Sequence, residues 1–200
     1  MYSVHPSVSY AQAILRQLHE KTGRSLEEWT KLLDHDGPAS GVERRDWLKT
    51  EYALGGTTAS MVADASMGEG RDRTDPDVYL ALAPGWVEDM FQGKESLRPI
   101  YDALLVLGRS LGPDVKVCPC RTIVPLYRSH VFAEIRPAAK TRLDLGLALK
   151  GIEREIPDRL LDTGGLARKD RITHRFAITS PEEIDDGVRE WLREAYELDG

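Results

Sequence analysis

The hydrophobic residues of this chain recur at a helical period in the first third and at a strand period further on. From Ser7 to Ala65, apolar residues return every three or four positions, with glycine stops between the segments. From Leu143 to Leu149 every second residue is Leu, a pattern typical of a strand with one buried face. The pattern therefore predicts four short helices followed by a sheet.

The sheet and its neighbouring helices are predicted from the same periodicities. Helices are expected over 96–111 and 180–195, and strands over 115–118, 122–127, 131–135, 142–149 and 172–178. Ser25 and Ser180 each stand three positions before a glutamate, which is the capping-box signal for the first turn of a helix. The predicted fold class is α+β, with an all-helical N-terminal domain and a C-terminal domain whose antiparallel sheet is flanked by helices.

The same patterns divide the chain into three parts. A helical domain is expected over 1–67, a linker and docking segment over 68–92, and an α+β domain over 93–200. Residues 68–76 carry no periodic apolar residue, so trypsin is expected to cut first at Arg71 or Arg73.

Composition and charge narrow the class of protein. The chain has 200 residues, no apolar run near the roughly 18 residues of a membrane span, and no signal-peptide pattern at its start. Cys118 and Cys120 are too close for an unstrained disulfide, which indicates a reducing, cytoplasmic compartment. The formal net charge is −6, yet residues 116–175 contain 13 Lys+Arg and 7 Asp+Glu. A local basic surface is therefore expected on an otherwise acidic protein.

Several sequence blocks resemble known domain families. The segments EKTGRSLEEWTKLL and WLKTEYALGGTTASMV resemble the helical domain DUF4287. The segments LRPIYDALLVLGRSLGPDVKVCPC and THRFAITSPEEIDDGVREWLREAY resemble DUF5655, whose pattern is similar to YdhG-like α+β domains. The resemblance implies this order of domains but no activity, because neither family has an established one. Cysteines stand near Pro119 where that family usually has basic residues, which puts any role of a lysine there in doubt.

Basic residues on or beside the predicted strands form the main candidate site. If Arg142 and Arg175 share the polar face of neighbouring strands, they could hold a phosphate or carboxylate bidentately. The candidate ligand-binding residues are Arg121, Arg128, Lys140, Arg142 and Arg175, with Asp144 among them. The expected partner is an anionic small molecule or a nucleic-acid phosphate. The alternative is internal neutralisation by Asp144, Glu134 and the final helix, which carries 8 acids and 2 Arg over 181–199.

Two other functions remain open at this stage. A hydrolase or transferase would use His174 as the basic partner of Cys118 or Cys120, although buried, inert thiols are the favoured explanation of the cysteines. No metal or cofactor is expected, because one C-x-C pair and scattered histidines match no standard zinc site. An interaction protein would use the acidic C-terminal helix against a basic partner. A binding module is favoured over an enzyme. In that module, the helical domain would dock a partner or form a homodimer.

Overall fold

The computed structural model describes residues 1–200 and divides them into two compact units. One unit, here the helical unit, comprises residues 4–82. The other, here the sheet unit, comprises residues 1–3 and 83–200. Residues 1–3 join the sheet unit because the Ser3 amide donates to the Val117 carbonyl at 2.8 Å, which extends the edge of the sheet. The sequence predicts a helical domain over 1–67, whereas the structure assigns residues 1–3 to the sheet unit and residues 68–82 to the helical unit.

The helical unit consists of short helices around one apolar core. Their bounds are α1 Pro6–Arg16, α2 Leu18–Thr22, α3 Leu26–Asp36, α4 Gly41–Glu51, α5 Gly56–Ser66, α6 Arg71–Thr74 and the start of α7 Pro76–Phe91. Trp29, Leu33, Leu48 and Val62 are almost fully buried and form the centre of the core. The indole of Trp29 meets the ring of Tyr52 edge-on at 5.0 Å. The aromatic rings of Trp29 and Tyr52 therefore contribute to packing within this unit.

Helices occupy the segment that was predicted to be a linker. Residues 71–74 form α6, which packs against α1, and residues 76–91 form α7 without a break. Arg73 is held by an ion pair to Asp64 at 2.6 Å, and Arg71 by one to Asp75 at 3.2 Å. In the structure the boundary between the units falls inside α7, between Leu82 and Ala83, whereas the sequence predicts a linker and docking segment over 68–92. Ion pairs hold this polar segment in place, and hydrophobic periodicity in the sequence cannot reveal them.

The capping box at Ser25 gives a first prediction for stability. The Ser25 hydroxyl accepts from the Glu28 amide at 3.2 Å, and the Glu28 carboxylate accepts from the Ser25 amide at 2.7 Å. Ser25→Ala is expected to lower the free energy of unfolding of the helical unit by about 1 kcal/mol. Urea unfolding followed by circular dichroism measures the change, with the exposed Thr30→Ala on the same helix as control. Equal losses in both variants would contradict a capping role.

The sheet unit contains one antiparallel sheet of six strands in the order β1-β2-β3-β4-β6-β5. The strands are β1 Lys116–Val117, β2 Val124–Tyr127, β3 Val131–Pro137, β4 Leu143–Leu147, β5 Leu161–Asp162 and β6 His174–Ile178. The helices are the end of α7, α8 Arg98–Ser110, α9 Gly165–Arg168 and α10 Asp186–Glu197. These elements confirm the α+β class.

One face of the sheet carries the core. Leu143, Leu145 and Leu147 of β4 are fully buried in one cluster with residues of α8 and α10, as the alternation of leucines predicts. Gly108 of α8 lies so close to the sheet that a Cβ there would meet Leu126 Cδ1 at 2.7 Å. The other face of β4, which includes Asp144 and Gly146, therefore points away from the core helices.

Two boundaries differ from the predicted ones, each for a local reason. The final helix begins at Asp186, because Asp185 caps it by accepting from the Val188 amide at 3.0 Å. The predicted cap at Ser180 instead starts a 3-10 turn over Pro181–Glu183. Strand β6 begins at His174 rather than at residue 172, because residue 172 is turned over the opposite face, where its Cγ2 approaches Gly146.

Candidate functional site

The open face of the sheet, opposite the core helices, is lined by polar side chains from three neighbouring strands. Register places Arg136 of β3 opposite Asp144 of β4, and Gly146 of β4 opposite Arg175 of β6. The loop over 162–172 borders this face and completes a cleft of about 660 Å³, here called the sheet cleft. Its volume lies within the usual range for small-molecule sites.

Two guanidinium groups, that of Arg175 in the cleft and that of Arg142 outside its lining, share one carboxylate oxygen of Asp144. The Arg142 Nε lies 2.9 Å from Asp144 Oδ1, and the Arg175 Nη1 donates to the same Oδ1 at 3.1 Å. The Arg142 Nε is buried but makes no hydrogen bond, because its N–H does not align with that oxygen. Each guanidinium has five N–H donors, so most of the donors of this pair remain available.

The third arginine of the group forms no ion pair, although its charge acts on the nearby Glu134. Arg136 stands directly across from Asp144 in the strand register, is exposed, and makes no ion pair or hydrogen bond. Arg136, Arg142 and Arg175 are here called the arginine cluster. Its one shared carboxylate, that of Asp144, is only 15% exposed. Like charges this close on a sheet are unfavourable without compensation, so the cluster favours a further anion.

Glu134 lies on β3 next to the arginine cluster and over Gly146. A Cβ at Gly146 would meet Glu134 Cγ at 2.9 Å, so only glycine leaves room for this side chain. Burial raises the pKa of the Glu134 carboxyl, the nearby Arg136 opposes that rise, and the charges of Asp170 and Asp144 add to it. The carboxyl makes no hydrogen bond to another group of the protein. Glu134 is therefore the one acid of the cleft whose ionisation the surroundings resist.

The raised pKa of Glu134 predicts a pH dependence of stability. A carboxyl whose pKa is higher in the folded state destabilises the fold once it ionises. Ionisation of Glu134 is therefore expected to produce a loss of stability, relative to Glu134→Gln, as the pH rises from the ordinary glutamate range through the raised pKa, and no loss below that range. Glu134→Gln should remove that loss, while the exposed Glu155→Gln should not. Urea unfolding over this pH range decides; parallel profiles for all three proteins would contradict the assignment.

The loop that borders the cleft is held by pairing within itself and to the sheet. The Thr163 amide donates to the Thr173 carbonyl at 2.9 Å, and Arg168 pairs with Asp170 at 2.9 Å. Arg171 donates from Nε to the Val131 carbonyl at 2.8 Å and forms an ion pair with Asp199. The lining of the whole cleft contains four arginines and four acids, so its charge is balanced. Positive charge in excess of the nearby acids is therefore found at the arginine cluster rather than over the whole cleft.

The predicted anion site is assembled only in part. Arg142, Arg175 and Asp144 converge, as the alternation of their strands predicts. Three other predicted residues lie elsewhere: Arg121 stacks on Trp86 at 5.3 Å, and Lys140 lies in the turn between β3 and β4.

Arg128 is the third residue outside the cluster, because it is bound at another edge of the unit. It pairs with Asp114 at 2.9 Å and lies 4.4 Å from the centre of the Tyr196 ring. Arg121 and Arg128 are therefore engaged outside the cluster, and Lys140 is not among the residues that line the cleft. Glu134 and Arg136 line the cleft but were not among the predicted ligand-binding residues. Both occupy alternate positions of β3, on the side of the strand that faces the cleft.

The cysteines and histidine proposed for catalysis are not brought together. Cys118 follows β1 at one edge of the sheet, whereas His174 opens β6, which is separated from β1 by three strands. At the usual strand spacing, this corresponds to about 19 Å. Burial raises the pKa of the Cys118 thiol to about 12 and also raises that of Cys120. His174 instead hydrogen-bonds the Thr173 hydroxyl through Nδ1 at 2.9 Å. The hydrolase or transferase alternative therefore has no assembled nucleophile and base.

Comparisons with known proteins concern the two units in turn. A family model described as "Domain of unknown function (DUF5655)" matches residues 87–199. A second, described as "Domain of unknown function (DUF4287)", matches residues 10–66. No curated protein and no solved structure matches the chain. None of the helices is long and apolar enough to cross a membrane, and no group of three or more His, Cys, Asp or Glu could hold a metal ion.

Proposed function

This chain belongs to the DUF5655 family, and we propose that the sheet cleft of its C-terminal unit binds the phosphate or carboxylate of an anionic small molecule. The shared Asp144 oxygen carries the proposal. Two guanidinium groups contact one carboxylate oxygen, and Arg136 across the strand pair from it forms no ion pair. An anionic ligand in the cleft would supply further negative charge and accept from the guanidinium N–H groups that Asp144 leaves free.

Local charge supports an anion rather than a neutral ligand. The three guanidiniums of the arginine cluster have Asp144 and Glu134 as the acids on the same strands, which leaves one net positive charge on this part of the open face. Protonation of Glu134 would leave two. The acids of α10 do not neutralise the cluster, because that helix packs on the other face of the sheet; Glu190 pairs instead with Arg154 at 2.8 Å.

A small molecule is favoured over a nucleic acid by the shape and charge of the surroundings. The cleft is bounded by the 162–172 loop, in which Arg168 and Arg171 are already paired with Asp170 and Asp199. A nucleic-acid phosphate would add contacts outside the cleft and make affinity depend steeply on salt. The test therefore compares inorganic pyrophosphate with a single-stranded oligonucleotide in the full chain.

Removal of one cluster arginine is expected to weaken pyrophosphate binding about tenfold, because a charge-assisted hydrogen bond is lost. Arg142→Gln and Arg175→Gln are the test variants, and isothermal titration calorimetry measures the affinities. Arg189→Gln is the matched control, because Arg189 is an exposed arginine of the same unit on α10, away from the open face. Absence of pyrophosphate binding to the wild type, or an equal effect in the control, would refute the proposal.

The remaining expectations about partners and location stay proposals. A cytoplasmic location is supported by two free thiols in the sheet unit. Tyr10 and Val42 of the helical unit are 64% and 62% exposed, which supports a homodimer or a docked partner through that unit. Sedimentation velocity of the wild type and of a Tyr10→Ser, Val42→Ser double variant tests the dimer. A wild type that remains monomeric at all concentrations would contradict the homodimer.

A further inference from the structure

A second groove of the sheet unit combines apolar walls with unpaired lysines. It measures about 840 Å³ and is here called the leucine groove. Its walls include Leu166 on α9, Leu198 after α10, and Ala148 and Ala195 between them. Lys150 and Lys169 also line it. The groove meets the sheet cleft at Asp170 and Arg171, which line both.

Two of the apolar side chains that line the groove are exposed. Leu166 is 60% exposed and Leu198 is 45% exposed. Two large, exposed apolar side chains in one groove are expected to bury an apolar chain of a ligand. Each methylene transferred from water to such a site raises affinity by up to about fourfold.

The charged residues of the groove indicate which chemical group the other end of that ligand carries. Asp170 is paired with Arg168, and Asp199, only 2% exposed, is paired with Arg171 and accepts from the His130 amide at 2.7 Å. Lys150 and Lys169 make no ion pair and no side-chain hydrogen bond. The acids that line the groove are therefore compensated while its two ammonium groups are not, which makes the groove complementary to an anion.

We infer that the leucine groove binds an organic monocarboxylate with an apolar chain, with the chain between Leu166 and Leu198 and the carboxylate beside Lys150 and Lys169. This inference uses residues outside the arginine cluster and is independent of the function proposed above. A phosphate without an apolar part would leave the leucines in water, and a neutral alcohol would leave the ammonium groups without a counterion. The combination is specific to an amphiphilic acid.

Octanoate is the probe, measured by isothermal titration calorimetry with the full chain. Octanoate is expected to bind in the millimolar range or better, and acetate and octanol at least about tenfold more weakly. Lys150→Gln should weaken octanoate about tenfold, and Leu166→Ser several-fold. Both residues are exposed, so the variants should fold. Lys116→Gln, an exposed lysine on β1, is the matched control and should bind like the wild type.

Several results would overturn the inference. Octanol binding as tightly as octanoate would reduce the groove to a simple apolar patch, and acetate binding as tightly would reduce it to a charge site. Octanoate binding that excess phosphate abolishes would place the carboxylate in the sheet cleft. Association with anionic vesicles without binding of octanoate would identify a membrane-facing surface instead. No octanoate binding at concentrations up to about 10 mM would exclude the site.

Discussion

Asp144→Asn is expected to lower the free energy of unfolding by about 2–3 kcal/mol at low ionic strength, while pyrophosphate binding becomes tighter. The Asp144 carboxylate is 15% exposed and is the sole acid that pairs with Arg142 and Arg175. The amide retains an acceptor oxygen but not the charge, so two guanidiniums are left uncompensated. The same change removes the internal competitor of an incoming anion.

Thermal melts with and without pyrophosphate separate a binding site from a purely structural network. In a binding site, pyrophosphate should restore much of the stability that Asp144→Asn loses, because the ligand replaces the missing charge. In a structural network, the loss should persist at every pyrophosphate concentration. Sodium chloride at equal ionic strength is the control for screening, since screening alone would also relieve repulsion. A variant as stable as the wild type would contradict the pairing itself.

Gly165→Ala is expected to lower the free energy of unfolding by about 3 kcal/mol. It should also displace the loop that borders the sheet cleft and the leucine groove. A Cβ at residue 165 would collide with the Ile172 carbonyl oxygen, which belongs to the backbone and cannot rotate away. The Gly165 amide donates to Thr163 Oγ1 at 3.1 Å, and its carbonyl accepts from the Asp170 amide at 2.9 Å. The residue thus lies at the centre of the turn and cannot shift alone.

Hydrogen exchange measured by mass spectrometry locates the effect of Gly165→Ala. Faster exchange is expected over 163–173, together with weaker binding of octanoate and pyrophosphate. Gly56→Ala is the control, because a Cβ there meets nothing within 4 Å and alanine favours a helix. Unchanged exchange over 163–173 in the Gly165 variant would contradict the close approach to residue 172.

The fold was predictable where one local rule applied and unpredictable where distant charges decided. The leucine row of β4 identified its buried face, because alternation on a strand has one physical meaning. Residues 71–76 read as a linker, since nothing apolar marks them. They are ordered by pairs such as Arg73 with Asp64, nine positions away. Likewise, the cap at Asp185 prevailed over the signal at Ser180, because several nearby polar residues could cap the same helix.

The candidate site was predictable to the extent that it depends on strand parity. Arg142 and Arg175 were placed together because each alternates out of an apolar row. Their shared carboxylate, Asp144, follows from the same parity. The register between strands is not encoded in parity, so the position of Arg136 opposite Asp144 required the structure. The loop that closes the cleft has no periodicity, so Arg171 could not be assigned to the site before its path was known, whereas Glu134 was already predicted as a neutralising acid.

Gly146 has a consequence for how sequences of this family can diverge. A side chain at this position would compete for the same volume as Ile172 Cγ2 at 2.7 Å and Glu134 Cγ at 2.9 Å. A relative with alanine or a larger residue at 146 is therefore expected to carry a smaller residue at 172 or 134. Substitutions at these three positions should covary in an alignment of the family, although the positions are separated by up to 38 residues in the chain. Independent variation at 146 and 172 would show that the open face tolerates a different path of the loop.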